Sequence, residues 1–237
     1  QDSHITYVKN DNYWRDGEPY LDSIKVLMIS DATTQLSAFK NGELDVLRNP
    51  NTTAIEQLKD SYENGAGNAP DLAGITYMMF CSGDEQSPFY DVNVRLAVMY
   101  AVDWADMAEG IYNGLGDATP VFAVPGAYSY DDTLEVYPYD PEKAKELLTA
   151  AGYPDGFNTT ITINDENAAN NQCAVILQAY LSMVGINAEI KTLTNADFNA
   201  QKAEGTYDLG IMVNNGSSKL DFTANYIRLY SSEGVNY

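Results

Sequence analysis

The chain has 237 residues, of which 45% are hydrophobic, 34 are acidic and 13 are basic, so its formal net charge is −21. This charge argues against binding nucleic acid, which needs a basic patch to displace counterions, and against docking on anionic lipid head groups. No apolar run reaches the roughly 20 residues that a membrane span requires.

The first part of the chain predicts strands and helices in turn. Alternating apolar and polar residues in "HITYVKND" predict a half-buried strand, and "SIKVLMIS" predicts a second one. Asp31 is the expected N-cap of a helix over "DATTQLSAFKNG", which Gly42 ends. "ELDVLRN" predicts a short strand, and Asn51 or Thr52 begins a helix that ends near Gly65.

A change of composition divides the chain. The segment "GAGNAPD", residues 65–71, is rich in Gly, Ala and Pro and is typical of a connector. We therefore expect one unit over residues 1–71 and another over residues 72–237. This length suits one large domain or two small ones.

From residue 72 onward the predicted elements alternate as β-α-loop-α-β-α-β-α-β-α. "LAGITYMMFC" predicts a buried strand, and "NVRLAVMYAVDWADMAEGIYNG", residues 93–114, predicts one amphipathic helix. Asp140 and Pro141 predict the N-cap and first residue of the next helix. The later strands and helices are predicted at "NTTITIND", "AANNQCAVILQAYLSMVG", "INAEIKTL", "NADFNAQKAEG", "YDLGIMVN" and "LDFTANYIRLYSS". This alternation indicates an α/β layered domain.

One long segment lacks periodicity. "LGDATPVFAVPGAYSYDDTLEVYPYD" contains three prolines and four tyrosines. Loops of this length in compact domains are usually functional or disordered, and the aromatic content argues against disorder. We expect an ordered loop that helps to wall a pocket, with a packed surface loop as the alternative.

Histidine and cysteine, the residues most often used as nucleophile, general base or zinc ligand, are scarce, and no pair of the many carboxylates stands out from a solvated acidic surface. The chain has one histidine, His4, and two distant cysteines, Cys81 and Cys173, without a CxxC motif. GxSxG, HExxH and Walker-type phosphate loops are absent from the sequence. The sequence thus predicts neither an enzyme, nor a metal site, nor a cofactor. It leaves a Cys81–Cys173 disulfide open.

Five segments in the right order carry a resemblance to a known family. They are "NDNYWRDGEPYLDSIKVLMISDATTQLSAFKNGELDV", "GITYMMFCSGDEQSPFYDVNVRLAVMYAVD", "YPYDPEKAKELLTAAGYPDGF", "AVILQAYLSMVGINAEI" and "GTYDLGIM". The chain resembles the extracellular solute-binding proteins of family 5, the peptide/nickel class that serves ABC importers. The resemblance covers almost the whole chain and implies that the chain is truncated at both ends relative to family members.

The resemblance implies a fold and a role for the helix over residues 93–114. The expected fold is a periplasmic-binding-protein-like lobe of class II type, with a mixed sheet and flanking helices, plus part of the other lobe. Residues 1–71 would be a partial segment of the first lobe, and residues 72–237 most of the second, ligand-binding lobe. Arg95 and Asp103 fall on the family's Arg and Asp. We expect structural roles for both: Arg95 bridging to a loop or carboxylate, and Asp103 bonding the backbone near the helix end.

The resemblance also places a candidate ligand site. In peptide-binding members an acidic residue after the "YDL" strand holds the ligand's ammonium group, whereas this chain reads "YDLGIMVNNGSSKLDF" there. Either Asp221 is the anchor in a shifted register, or neutral amides and hydroxyls form the site. This departure, with Cys81 where the family often has Asn, puts free-amine peptide recognition in question. The candidate contacts are Phe80, Cys81, Ser82, Tyr128, Tyr130, Asn214, Asn215, Ser217 and Asp221.

The function that the resemblance implies is capture of dipeptides or oligopeptides outside the membrane by a monomeric binding component of an ABC importer. Its partners would be the solute and the membrane permease subunits. It would lie outside the cell, as a cell-surface lipoprotein or a periplasmic protein. The alternatives are the same scaffold binding an oligosaccharide, metal chelate or haem, or a surface sensor or adhesin without transport.

Overall fold

The chain forms two compact units, Gln1–Gly67 and Asn68–Tyr237. The computed structural model describes residues 4–48, 50–59, 75–123, 130–164 and 168–214. The expected boundary between residues 71 and 72 falls in the segment 60–74, outside the described residues. The assignment of the two units to two lobes therefore stays a prediction.

The first unit contains a β-hairpin and two helices. Strands β1 (His4–Val8) and β2 (Ser23–Leu27) pair antiparallel. Helices α1 (Ala32–Lys40) and α2 (Thr52–Leu58) follow. The Asp31 carboxylate accepts from the Thr34 N–H at 2.8 Å, which confirms the predicted N-cap. Asn51 caps α2 in the same way through the Ala54 N–H.

The strand predicted at "ELDVLRN" is wrong for the part that is described. Residues 43–48 form turns and irregular backbone, and the Val46 side chain is 78% exposed. A strand needs a neighbour to bind its N–H and C=O groups. Within the described ranges, no strand lies beside this segment.

The second unit is built on one mixed four-stranded sheet. Its strands are β3 (Ile75–Phe80), β4 (Phe157–Asn164), β5 (Ile186–Leu193) and β6 (Leu209–Asn214), in the spatial order β3-β6-β4-β5. β3 runs antiparallel to β6, whereas β4 runs parallel to both β6 and β5. The remaining elements are α3 (Val92–Ala101), α4 (Trp104–Tyr112), α5 (Pro141–Ala150), α6 (Ala168–Met183) and α7 (Asn195–Glu204).

Apolar side chains cover both faces of this sheet, as the α/β pattern predicts. The larger core joins α3, α4, α5 and α6 to one face through residues such as Val98, Leu177 and Ile161, all at most 1% exposed. On the other face, Phe198 of α7 packs with Met79. The result is an α/β unit with a mixed sheet and flanking helices, as expected. None of the described helices is long and apolar enough to cross a membrane.

The single helix predicted over residues 93–114 is wrong, because the structure divides it in two. Val102 has extended backbone (φ −116°, ψ 130°) and ends α3. Asp103 then begins α4 as its N-cap, accepting from the Asp106 N–H at 3.0 Å. Arg95 and Asp103 therefore do not share a face of one helix, although Asp103 bonds the backbone as expected. Asn113, with φ +50°, ends α4.

The other predicted elements after residue 140 agree with the structure where it is described. Asp140 caps α5 through the Lys143 N–H at 2.9 Å, with Pro141 in the first turn. Gly156 and Gly185 bring the starts of β4 and β5 together, since a Cβ on Gly156 would lie 1.9 Å from the Gly185 carbonyl oxygen. The last predicted helix, "LDFTANYIRLYSS", lies outside the described residues.

Candidate ligand-binding site

The β3–β6 ladder separates the predicted contact residues into two groups. In its antiparallel register Phe80 pairs with Leu209 at one end, and Ile75 pairs with Asn214 at the other. Five residue steps of about 3.4 Å put the two ends roughly 17 Å apart. Phe80, Cys81 and Ser82 therefore do not meet Asn214.

The end of the ladder with Phe80 and Cys81 is largely core. The Phe80 ring lies 5.3 Å from that of Phe89, which is fully buried. Cys81 is 4% exposed, and its thiol donates to the Gly205 carbonyl at 3.1 Å. Burial raises the pKa of this thiol. Ser82 follows, half-buried. The Phe80 and Cys81 side chains are thus engaged in packing.

The opposite end carries an aromatic cluster formed by the strand and the long loop. Ile75, Phe122 and Ala123 are buried there, and Tyr77 and Tyr130 pack against them while remaining partly exposed. The Tyr77 and Phe122 rings meet edge to face, with 4.7 Å between their centroids. We call Ile75, Tyr77, Phe122, Ala123 and Tyr130 the aromatic cluster. The described part of the loop thus packs against this end of the sheet, and its role as the wall of a pocket stays a prediction.

Hydrogen bonds fix the orientation of the side chains around the cluster. The Tyr77 hydroxyl donates to the Met212 sulfur at 3.5 Å. On the other sheet face, the Thr76 and Tyr112 hydroxyls lie 2.6 Å apart. Burial raises the pKa of Tyr112, whereas the hydrogen bond with Thr76 acts in the opposite direction. These contacts hold β3 between the loop and α4.

A positive charge lies beside the same strands. The Lys202 ammonium of α7 contacts the Met212 sulfur at 3.7 Å and the Asn199 side-chain oxygen at 3.0 Å. It also lies 6.0 Å from the centre of the Phe198 ring. These contacts hold the Lys202 side chain against the face of the sheet where Phe198 and Met212 pack.

Asp208 is an organising residue that the candidate contacts omitted. Its Oδ2 accepts from the Thr160 N–H at 2.9 Å and from the Thr160 and Thr159 hydroxyls at 2.8 and 3.2 Å. Its carbonyl accepts from the Cys81 N–H at 2.9 Å. Asp208 therefore ties β6 to both β4 and the end of β3. The "YDL" triplet was the available signal for it.

Arg95 has the bridging role expected of it. Its guanidinium Nη1 donates to the carbonyls of Phe89 and Tyr90 at 2.7 and 2.9 Å. These carbonyls belong to the short 3₁₀ turn Pro88–Tyr90 just before α3. The contact fixes the turn against the helix, so this arginine is occupied in structure.

The nine predicted contacts fall into three groups. Phe80, Cys81 and Ser82 lie at one end of the ladder, whereas Tyr130 and the backbone of Asn214 lie at the other. Tyr128, Asn215, Ser217 and Asp221 are outside the described residues. Both cysteines are free and buried. Across the described ranges, no group of three or more His, Cys, Asp or Glu side chains could hold a metal ion.

Comparison with known proteins identifies the family. The model described as "Bacterial extracellular solute-binding proteins, family 5 Middle" matches residues 1–237. The chain belongs to this family. The chain spans 38% of the length of one curated relative and 45% of another. This agrees with the word "Middle" in the description of the family.

Individual family 5 relatives differ in what their names say they bind. The chain is 34% identical to heme-binding protein A of Haemophilus influenzae over 89% of its own length and 38% of the relative's. It is 27% identical to the dipeptide-binding protein of Escherichia coli K12, over 100% of its own length and 45% of the relative's.

A solved structure supports the same fold. The ABC transporter-associated periplasmic binding protein DppA of Helicobacter pylori, in complex with the peptide STSA, superposes with a TM-score of 0.72 at 28% identity. The superposition covers 90% of this chain and 41% of that protein. The α/β unit is thus of the periplasmic-binding-protein type.

Proposed function

We propose that this chain is part of the substrate-binding component of an ABC importer that captures dipeptides or oligopeptides outside the membrane. Family membership and the likeness to dipeptide-binding and peptide-bound relatives support this proposal. The partners are the peptide and the membrane permease subunits. The binding component acts as a monomer, in the periplasm or as a lipoprotein at the cell surface.

The aromatic cluster is the structural observation that supports the proposed position of the ligand site. Tyr77 and Tyr130 are partly exposed there, and the Asn214 backbone closes the same end of the ladder. Apolar rings with a few polar groups are the usual lining of small-ligand sites. We therefore assign contacts to Tyr130 and to the segment beginning at Asn214, which includes Asn215, Ser217 and Asp221. Tyr128 precedes Tyr130 by two residues and belongs to the same proposed wall.

In this proposal a direct contact with the ligand is not assigned to Phe80, Cys81 or Ser82. The Phe80 ring and the Cys81 thiol are already engaged in core contacts. They support the strand that carries the aromatic cluster, and a direct contact with the ligand would need their side chains to leave the core.

Thermal unfolding of the full-length natural chain with peptide pools tests the function. A ligand at about 100 times its dissociation constant adds roughly 2.7 kcal/mol to the free energy of unfolding. We expect pools of di- to hexapeptides to raise the unfolding midpoint by a few degrees. Unchanged midpoints with every peptide pool would contradict the peptide assignment.

Two variants test the site. Asp221→Asn should abolish the peptide-induced rise of the unfolding midpoint if this carboxylate holds the peptide ammonium. The control is Asp155→Asn, which changes an exposed residue in the turn before β4 and should retain that rise. Tyr130→Ala should weaken binding through loss of ring contact, and Tyr90→Ala, which removes a 51% exposed ring elsewhere, should not. Wild-type affinity in both test variants would place the ligand elsewhere.

A haem ligand is the second candidate, because the relative at 34% identity is named a heme-binding protein. An aromatic, mostly neutral wall suits a flat apolar ring as well as a peptide side chain. Hemin titrated into the same chain separates the two, since haem binding changes the Soret absorption and peptide binding does not. A Soret change without any peptide response would establish the second candidate.

A further inference from the structure

Strand β5 lies at the edge of the four-stranded sheet. In the order β3-β6-β4-β5 it has one neighbouring strand within the described part of the chain, β4, with which it pairs in parallel. An edge strand presents backbone N–H and C=O groups that can pair with a strand of another molecule. A groove of about 730 Å³ lies beside this strand, lined in part by Ala179 and Ser182 of α6 and by Asn187 and Glu189 of β5. The beginning of β5 is therefore accessible from outside.

One side chain of α6 occupies this edge. The Gln178 Nε2 donates to the Ala188 carbonyl at 2.7 Å. This carbonyl therefore points away from β4. Since the backbone groups of alternate residues in a strand point to the same side, those of Ile190 and Thr192 also point outward. Gln178 thus uses one of the acceptors that an added strand would need.

The sequence of β5 is suited to antiparallel pairing with a second copy of itself. The outward-pointing residues allow a register in which Ile190 faces Ile190 of the second copy and Ala188 faces Thr192. In this register the exposed Glu189 lies opposite the exposed Lys191 of the second copy. A shift of two residues in either direction places Glu189 opposite Glu189 or Lys191 opposite Lys191, and like charges directly opposite are destabilising. Charge therefore favours a single register.

This register requires the carbonyl that Gln178 occupies. Facing residues of this kind exchange both N–H···O=C bonds, so the Ala188 carbonyl of each copy would accept from the Thr192 N–H of the other. We propose that the Gln178 side chain keeps β5 from pairing with β5 of a second copy, and so keeps the protein monomeric. Native proteins commonly protect a strand edge by covering it with a neighbouring element. This role concerns association and goes beyond the proposed capture of peptides.

Sedimentation of the full-length natural chain and its variants at micromolar concentrations tests the proposal. Gln178→Met keeps the length and helix propensity of the side chain but cannot donate to the Ala188 carbonyl. Each copy then gains one hydrogen bond across the interface, so the dimer should become at least about tenfold tighter than in wild type. Gln172→Met makes the same change at an exposed position of α6 and should leave the chain monomeric.

Charge variants test the register. Lys191→Glu, added to Gln178→Met, puts two carboxylates opposite each other and should dissociate the dimer. Adding Glu189→Lys as well restores opposite charges and should restore the dimer. Gln178→Ala removes the same hydrogen bond with a shorter side chain. It replaces Gln178→Met if circular dichroism shows that the methionine variant does not fold.

Three results would overturn the proposal. Folded Gln178 variants that stay as monomeric as wild type would show that this side chain does not limit pairing. A dimer that persists with Lys191→Glu would place the interface elsewhere. A wild-type dimer that Lys191→Glu dissociates would mean that the edge pairs in spite of Gln178, and would also contradict the proposed monomer. Since none of these measurements involves a ligand, their result is independent of the peptide-binding test.

Discussion

At the scale of single residues, Cys173 shows how burial changes the chemistry of a side chain. It lies in the middle of α6, is 2% exposed and is a free thiol. Burial raises its pKa to about 11, because the apolar surroundings disfavour the thiolate. The thiol is therefore protonated at neutral pH and acts as a small apolar side chain.

This raised pKa makes the stability of the protein fall at high pH. The unfolded thiol, with an ordinary value of 9.0, releases its proton before the folded one does. The contribution of Cys173 is thus fully present below pH 9 and is lost between about pH 9 and pH 11. A difference of two pKa units corresponds to about 2–3 kcal/mol of unfolding free energy.

Urea unfolding of wild type and Cys173→Ala across pH 7 to 10.5 checks this prediction. The other groups that titrate at high pH are present in both proteins, so the difference between them reports the thiol together with its effect on Tyr112, whose pKa the Cys173 charge raises. We expect wild type to be more stable at pH 7 and this advantage to shrink steadily above pH 9. A difference independent of pH would contradict the pKa shift.

At the scale of elements, the break between α3 and α4 explains which helices could be predicted. Capping residues located the starts of α1, α2 and α5, because Asp31, Asn51 and Asp140 each precede a helical segment of the sequence. The segment 93–114 has helical apolar spacing throughout, so periodicity predicts one helix. The overlooked signal was Asp103 followed three residues later by Asp106, a capping pair inside that spacing.

The cap at Asp103 can be tested by a matched pair of variants. Asp103→Ala leaves the Asp106 N–H without its acceptor and should lower the free energy of unfolding by about 1 kcal/mol. Asn is an equally good N-cap, so Asp103→Asn should be nearly neutral. Chemical denaturation of the three proteins at pH 7 makes the comparison. Equal loss in both variants would mean that the charge of Asp103, rather than its cap, is what stabilises α4.

At the scale of the whole molecule, the α/β class and most strands could be predicted from the sequence. The positions of the candidate contact residues relative to one another could not. Phe80–Ser82 lie at the carboxyl end of one predicted strand and Asn214 lies at the carboxyl end of another. The sequence pattern therefore does not distinguish the positions of the two groups in the sheet. Only the antiparallel register of β3 with β6 sends them to opposite ends of the ladder. Strand direction within a mixed sheet depends on long-range pairing, which local patterns do not encode.

The two compact units should differ in their ability to fold alone. The sheet β3-β6-β4-β5 lies wholly within residues 75–214, and its larger core contains Val94, Leu181 and Ile186 at 0% exposure. In the described part of the first unit, the core cluster consists of Leu36, Ala54 and Leu58. So few buried apolar side chains offset little of the conformational entropy lost on folding.

We therefore expect a protein of residues 68–237 to fold cooperatively and a protein of residues 1–67 to remain unfolded. Differential scanning calorimetry should give one sharp unfolding transition for residues 68–237 and none for residues 1–67. For residues 68–237, the far- and near-ultraviolet circular dichroism signals should be lost together at the same temperature. The 237-residue chain should show the same transition as residues 68–237, because the first unit adds little core. Failure of residues 68–237 to unfold cooperatively would contradict the division of the chain. It would mean that the sheet needs contacts from residues 1–67, and so that the two units form one cooperative structure.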